Sequence, residues 1–277
     1  MKKFATLIRS LNEIKIQMND NDYVEFDPRI PKYKSVLTNI IIFWISIMFI
    51  IEIFFSALNS DKLIILLGAK WNEGITRGEY WRFLTCTFLH GNLMHLFLNL
   101  AAIYIFGKEV ESIYGTFRFL IIYLLSSWGA GLASYSFSDG IAIGASGVVF
   151  GIIGSLIIFF FRQREKVTGA NLKFKSMYTL VIINLLFGFL LPRIDNYAHM
   201  GGLVTGLIIG WFISPEYKIE KVEELEKLII VRKKDLSRFL FGTLIVICLL
   251  LGITKTATSI QFPKTSLYQN ANLSSIH

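Results

Sequence analysis

The sequence predicts an all-α fold, a polytopic membrane helical bundle with a six-helix core and one extra C-terminal helix. Three observations carry that expectation. First, of 277 residues 53% are hydrophobic and only 17% charged, against about a quarter charged in a soluble domain, and the mean hydropathy is +0.55. A soluble enzyme is excluded by that balance. Second, seven apolar stretches follow one another at 36–58, 83–106, 117–137, 141–161, 177–191, 198–213 and 236–253, and ~20 apolar residues suffice to cross a ~30 Å hydrocarbon core. Third, Lys and Arg are unevenly shared between the loops: alternate loops carry 21 on one side and 7 on the other. Such a bias marks the richer side as cytoplasmic.

Taken in order, residues 1–35 form a cytoplasmic N-terminal segment. Its first apolar run, Phe4 to Ile8, is too short for a signal-peptide core, so no cleavage is expected. Phe4, Leu7, Ile8 and Leu11 recur at helical spacing opposite Lys3, Arg9 and Lys15, a pattern shared by a small interfacial helix and a solvated tail. Residues 36–214 hold the six-helix membrane domain. The charged cytoplasmic linker 215–235 puts Val222, Leu225 and Ile229 on one face, which predicts an amphipathic surface helix. A seventh transmembrane helix at 236–253 and an extracytoplasmic tail at 254–277 complete a multi-pass protein of the cell membrane, N-terminus cytoplasmic and C-terminus outside. The net charge of +8 then belongs to cytoplasmic loops facing a lipid bilayer, and no nucleic-acid partner is expected. Cys86 and Cys248 both lie in apolar runs, so no disulfide framework is indicated.

Polar groups inside apolar helices are costly and therefore candidates for function. Glu52 lies near the outer end of the first segment, where an interfacial carboxylate is tolerable and no catalytic role is assigned. The others are His90, His95 and Asn99 in segment two, Ser146 opening segment four and His199 opening segment six. At 1.5 Å per residue, Ser146 stands ~22 Å above Phe161 and His199 ~21 Å above Ile213, while His90 and His95 stand ~24 and ~16 Å above Phe106. A serine and a histidine on different helices thus share one level in the outer half of the bilayer. Gly147, Gly151 and Gly154 on one helix and Gly202, Gly206 and Gly210 on the other are the small residues that let helix backbones approach closely in lipid. Close approach would bring Ser146 within reach of a neutral His199 imidazole, the requirement for a serine nucleophile. His95 and Asn99, at i and i+4, share a face and can donate to an oxyanion, joined by unpaired amides where Ser146 opens its helix. His90, ~140° away around the helix from His95, reads as a structural hydrogen-bonding residue.

In combination these residues resemble the rhomboid family of intramembrane serine proteases, over about Leu67 to Trp211. The features are Gly78-Glu79-Tyr80-Trp81-Arg82, Phe88-Leu89-His90 with His95 and Asn99, Gly107, Glu111 and Gly115, Gly144-Ala145-Ser146-Gly147 with Gly151, and Ala198-His199 with Gly202 and Gly206. The resemblance implies a Ser146–His199 dyad, His95, Asn99 and Gly144 at the oxyanion site, and transmembrane proteins as substrates. Phe150 stands where some members carry a Tyr that packs on the catalytic His, and keeps the ring without the hydroxyl. The seventh helix is similar to a subgroup with a C-terminal extra helix.

Asp195, four residues before His199, falls in a short outer loop, 192–197, that reads better as a lid than as the source of a third catalytic group. Phe187 and Phe189 read as lipid-facing or packing residues. No cofactor and no metal are expected: a zinc site lacks H-E-x-x-H and a placed carboxylate, and a transporter would want charges at the midplane. The alternative function is a non-catalytic membrane protein that binds transmembrane helices through the same cleft.

Overall fold

The computed structural model describes residues 25–27, 33–55, 60–164, 169–190, 194–222, 227–233 and 235–274. The interfacial helix suggested at 4–11 and residues 192–193 of the lid loop lie outside them. After strand β1 (Glu25–Asp27) comes helix α1 (Leu37–Phe55), then short helices α2 (Ser60–Leu67), α3 (Asn72–Thr76) and α4 (Arg82–Thr85) in the first long loop. Helix α5 (Leu93–Tyr114) and α6 (Thr116–Phe137) form a tight pair joined at Gly115, and α7 (Ser146–Gln163), α8 (Ala170–Leu190) and α9 (Asn196–Ile213) follow. Strands β2 (Glu216–Val222) and β3 (Lys227–Lys233) lead into the last helix, α10 (Leu236–Ser274).

Six of these helices are long and apolar enough to cross a membrane: α1, α5, α6, α7, α8 and the Leu236–Gln261 part of α10. Lipid leaves a backbone no partner but itself, so runs rich in Ile and Phe become helices there despite their β propensity. The protein is a multi-pass helical membrane bundle. Helix α7 is the most buried span, and α9 lies against it and α6. The reason is local: a Cβ on Gly202 would fall on the Gly147 carbonyl oxygen, and one on Gly206 on that of Gly151. Backbone touches backbone at both levels, which no side chain permits.

Glu111, buried on α5, fastens α1 to this core. Its Oε1 accepts from the N–H groups of Val36 (3.0 Å) and Leu37 (2.9 Å) and from Thr116 Oγ1 (2.9 Å); its Oε2 accepts from Thr38 N–H (2.8 Å) and Thr38 Oγ1 (2.7 Å). The first N–H groups of a helix lack internal partners and carry partial positive charge, so a carboxylate satisfies both needs. Glu111→Leu orphans those donors, and thermal unfolding in detergent is expected to show a loss of about 3 kcal/mol, the scale of breaking a buried charged network. Glu111→Gln, which keeps an acceptor oxygen, is expected to lose less. Equal stability of wild type and Glu111→Leu would refute the anchoring role.

Four expectations are corrected. Segment two does not begin helically at residue 83, because Asn92 Oδ1 accepts from His95 N–H at 2.8 Å and caps α5; Phe83 lies on α4, and a 3₁₀ turn, Cys86–Phe88, precedes the cap. Segment five is longer than its apolar stretch, since α8 starts at Ala170 and includes Lys173 and Lys175. The linker is not a surface helix. Strand β2 pairs antiparallel with β3, Glu216 opposite Lys233 and Val222 opposite Lys227, while β1 adds in parallel on the other edge of β3, Glu25 opposite Lys227. The β-branched run Ile229-Ile230-Val231 and the alternation around Tyr217 and Ile219 favour strands, and three apolar residues at helical spacing were too few to outweigh them. Finally, α10 does not stop at residue 253 but stays helical to Ser274.

Candidate active site

The chain between α6 and α7 approaches the site in an extended run that ends at Gly144. There φ is +115°, left-handed backbone that favours glycine, and the Gly144 N–H donates to the Cys86 carbonyl at 2.9 Å. Space requires glycine as well: a Cβ would lie 2.6 Å from His95 Cε1 and 2.7 Å from Nε2, with Asn99 Nδ2 at 3.8 Å. Gly144 therefore sets the chain alongside His95 and Asn99 two residues ahead of Ser146. Ser146 is the first residue of α7, whose N-cap, Ala145, has no side chain to cap it. The opening amides of α7 lack intrahelical partners, and the positive end of the helix dipole lies beside the serine.

His199 is delivered by the first turn of α9. That turn starts at Asp195, whose Oδ1 accepts from Ala198 N–H at 3.0 Å and whose Oδ2 accepts from the Ser134 hydroxyl. One turn on, His199 Nε2 lies 2.8 Å from Ser146 Oγ. The imidazole stacks on Phe150, ring centroids 4.4 Å apart and planes 14° from parallel, which fixes its tilt. Nδ1 of His199 is buried and makes no hydrogen bond among the described residues. Asp195 is thus engaged in capping α9 and holding Ser134, and among the described residues no carboxylate hydrogen-bonds His199 Nδ1.

On α5, Asn99 is buried and gives one of its amide N–H groups to the His95 carbonyl at 3.0 Å. The His95 ring abuts Gly144, and His90 stands edge-on to it with ring centroids 5.0 Å apart. The expected hydrogen-bonding role of His90 is met only by its backbone: its N–H donates to both carboxylate oxygens of Glu52, at 3.1 and 3.0 Å, while both ring nitrogens are buried without a partner among the described residues. Glu52 itself is buried in the fold and holds the turn that precedes α5. Phe187 and Phe189 on α8 are exposed, as lipid-facing residues would be. Among the described residues no three His, Cys, Asp or Glu side chains come together to hold a metal ion. The arrangement is therefore a serine hydroxyl in contact with a base, beside a glycine turn flanked by an imidazole and a carboxamide.

Comparison with known proteins bears on the same part of the chain. Rhomboid protease GluP of Bacillus subtilis is 39% identical over 165 residues, 58% of this chain and 31% of the relative. RHOMBOID-like protein 4 of Arabidopsis thaliana is 34% identical over 142 residues, 50% of this chain and 36% of the relative. RHOMBOID-like protein 2 of the same plant is 29% identical over 199 residues, 70% of this chain and 62% of the relative. The chain thus spans less than two thirds of the length of each of these relatives. The family model described as the Rhomboid domain matches residues 77–216, from the turn before α4 to the end of the α6–α7–α9 core. Half of the sequence, including His95, Asn99, Ser146 and His199, falls within that match, and the chain belongs to the rhomboid family.

Proposed function

We propose that the protein is an intramembrane serine endopeptidase that hydrolyses peptide bonds in or near transmembrane segments of other membrane proteins. The observation that carries this reading is the 2.8 Å contact between His199 Nε2 and Ser146 Oγ. As Ser146 Oγ attacks the scissile carbonyl carbon, its proton passes to His199 Nε2, which returns it to the departing amine. The negative charge on the former carbonyl oxygen meets donors from His95, Asn99 and the opening amides of α7. Water then attacks the acyl-enzyme with His199 again taking the proton, which frees Ser146. Phe150 keeps the imidazole in plane, and Gly202 and Gly206 keep α9 against α7. With the N-terminus cytoplasmic and the C-terminus outside, this chemistry lies in the outer half of the bilayer.

The test offers detergent-solubilised protein a fluorescent transmembrane segment with small residues near its outer end. Discrete cleavage by wild type, together with labelling of Ser146 by a fluorophosphonate, is expected. A protein that binds the segment and leaves both it and the probe untouched would be the non-catalytic helix binder instead.

A further inference from the structure

Lys70, in the turn between α2 and α3, has no solvent exposure although it carries an ammonium. Its Nζ donates to the carbonyls of Ser138 (2.6 Å) and Gly140 (2.9 Å), in the connection from α6 to α7. The backbones of the same two segments pair as well: Lys70 N–H donates to the Ala142 carbonyl at 3.0 Å, and Ala142 N–H to that of Lys70 at 3.1 Å. Asn72 Nδ2 adds a further bond to the Ser138 carbonyl at 3.1 Å. With the Gly144 N–H on the Cys86 carbonyl, the run 138–144 is tied along its length to the first long loop, and it ends two residues before Ser146.

Burying an ammonium is costly unless its protons are taken up. Here burial pulls the Lys70 pKa down to about 8, opposed by the carboxylates of Asp195, Asp139 and Glu73. Asp195 is also the cap of α9, which carries His199. A compact head with three donors on a flexible stem suits two carbonyls of one turn.

Resting on the reading of Ser146 as nucleophile, we propose that Lys70 is a positioning residue. Its ammonium fixes the Ser138–Gly140 turn, and through the rest of the run fixes Gly144 and Ser146 against His95 and His199. The group touches no reacting atom. Its effect is on geometry, where a displacement of about 1 Å is able to cost ~100-fold in rate.

The test compares wild type, Lys70→Met, which keeps the stem and removes the donors, and Lys70→Gln, which restores a donor on a shorter stem. For each full-length protein, three quantities are read: the rate of fluorophosphonate labelling of Ser146, kcat and KM on the fluorescent transmembrane segment, and the thermal midpoint. For Lys70→Met the labelling rate and kcat are expected to fall together, by about 10-fold or more, with KM within about twofold and Lys70→Gln intermediate. A merely structural lysine would lower the midpoint and the folded fraction but leave both rates per folded molecule unchanged, and that result overturns the proposal. If Lys70→Met does not fold, Lys70→Gln decides on the same rates. Cleavage by Ser146→Ala would defeat the underlying reading; an inert Ser146→Ala beside wild-type rates in folded Lys70→Met would defeat only the role of Lys70.

Discussion

Ser146→Ala and His199→Ala are each expected to abolish cleavage of a transmembrane segment by folded protein, a loss on the order of 10⁴-fold or more, and the double variant is expected to be no worse than either single one. The non-additivity follows from the geometry. Oγ and Nε2 are 2.8 Å apart, so in the proposed mechanism removing either partner removes the activated nucleophile, and nothing remains for the second substitution to take. The two variants differ in what else they change. Ser146→Ala deletes one oxygen and is expected to leave the thermal midpoint near that of wild type. His199→Ala removes a buried ring stacked on Phe150 and is expected to lower it, so its activity is read per folded molecule. A fluorophosphonate separates them further: the alanine at 146 accepts no label, whereas the serine left in His199→Ala is labelled slowly. Substantial cleavage by Ser146→Ala would reject the dyad. Asp195→Asn supplies a contrast, because a carboxylate engaged with the Ala198 amide and the Ser134 hydroxyl acts on the start of α9 and so on stability.

How much of this was legible beforehand depends on whether the relevant information is periodic along the chain. Helices α7 and α9 run without interruption from the Ser146 and His199 level to the opposite end of the bundle. Counting residues at a fixed rise therefore put the two side chains at one height, and the glycines at four-residue spacing foretold the contact that joins them. The same count fails in segment two, because Asn92 caps the helix and residues 86–92 do not rise at 1.5 Å each; the stretch Ile103–Gly107 adds a π-helical turn further along. Heights assigned there to His90 rested on helix that does not exist. The linker misled for a related reason, since Val222, Leu225 and Ile229 fit the helical period while the β-branched run Ile229-Ile230-Val231 beside them carries the strand signal. Least legible were the groups whose partners are backbone atoms far away in sequence. Lys70 binds the carbonyls of Ser138 and Gly140, and Glu52 binds the His90 amide; a carbonyl has no residue type, so no motif announces it. Asp195 was tempting as a triad acid through proximity in sequence alone, and its position one residue ahead of α9 was the better clue, being that of a helix cap.

His95 and Asn99 are expected to separate from His90 when each is replaced by alanine. The His95 ring and the Asn99 carboxamide flank Gly144, two residues from Ser146, so His95→Ala and Asn99→Ala remove donors from the place where the proposed mechanism puts the oxyanion. Each is expected to lower kcat by about one to three orders of magnitude with little change in KM, the range for a single oxyanion donor. Loss is partial because the other side chain and the opening amides of α7 still donate. His90 belongs to a different class. Its ring makes no hydrogen bond among the described residues and packs edge-on against His95, while its attachment to Glu52 runs through the backbone N–H. His90→Ala keeps that N–H and opens a void beside His95, so it is expected to lower the thermal midpoint, with turnover falling chiefly as the folded fraction falls. Steady-state kinetics normalised to fluorophosphonate-titrated sites, paired with thermal unfolding, distinguish the two patterns. Should His90→Ala cost turnover in fully folded protein while His95→Ala costs only stability, the roles are reversed, and the oxyanion donors must be sought in the turn that Glu52 holds rather than on the face of α5.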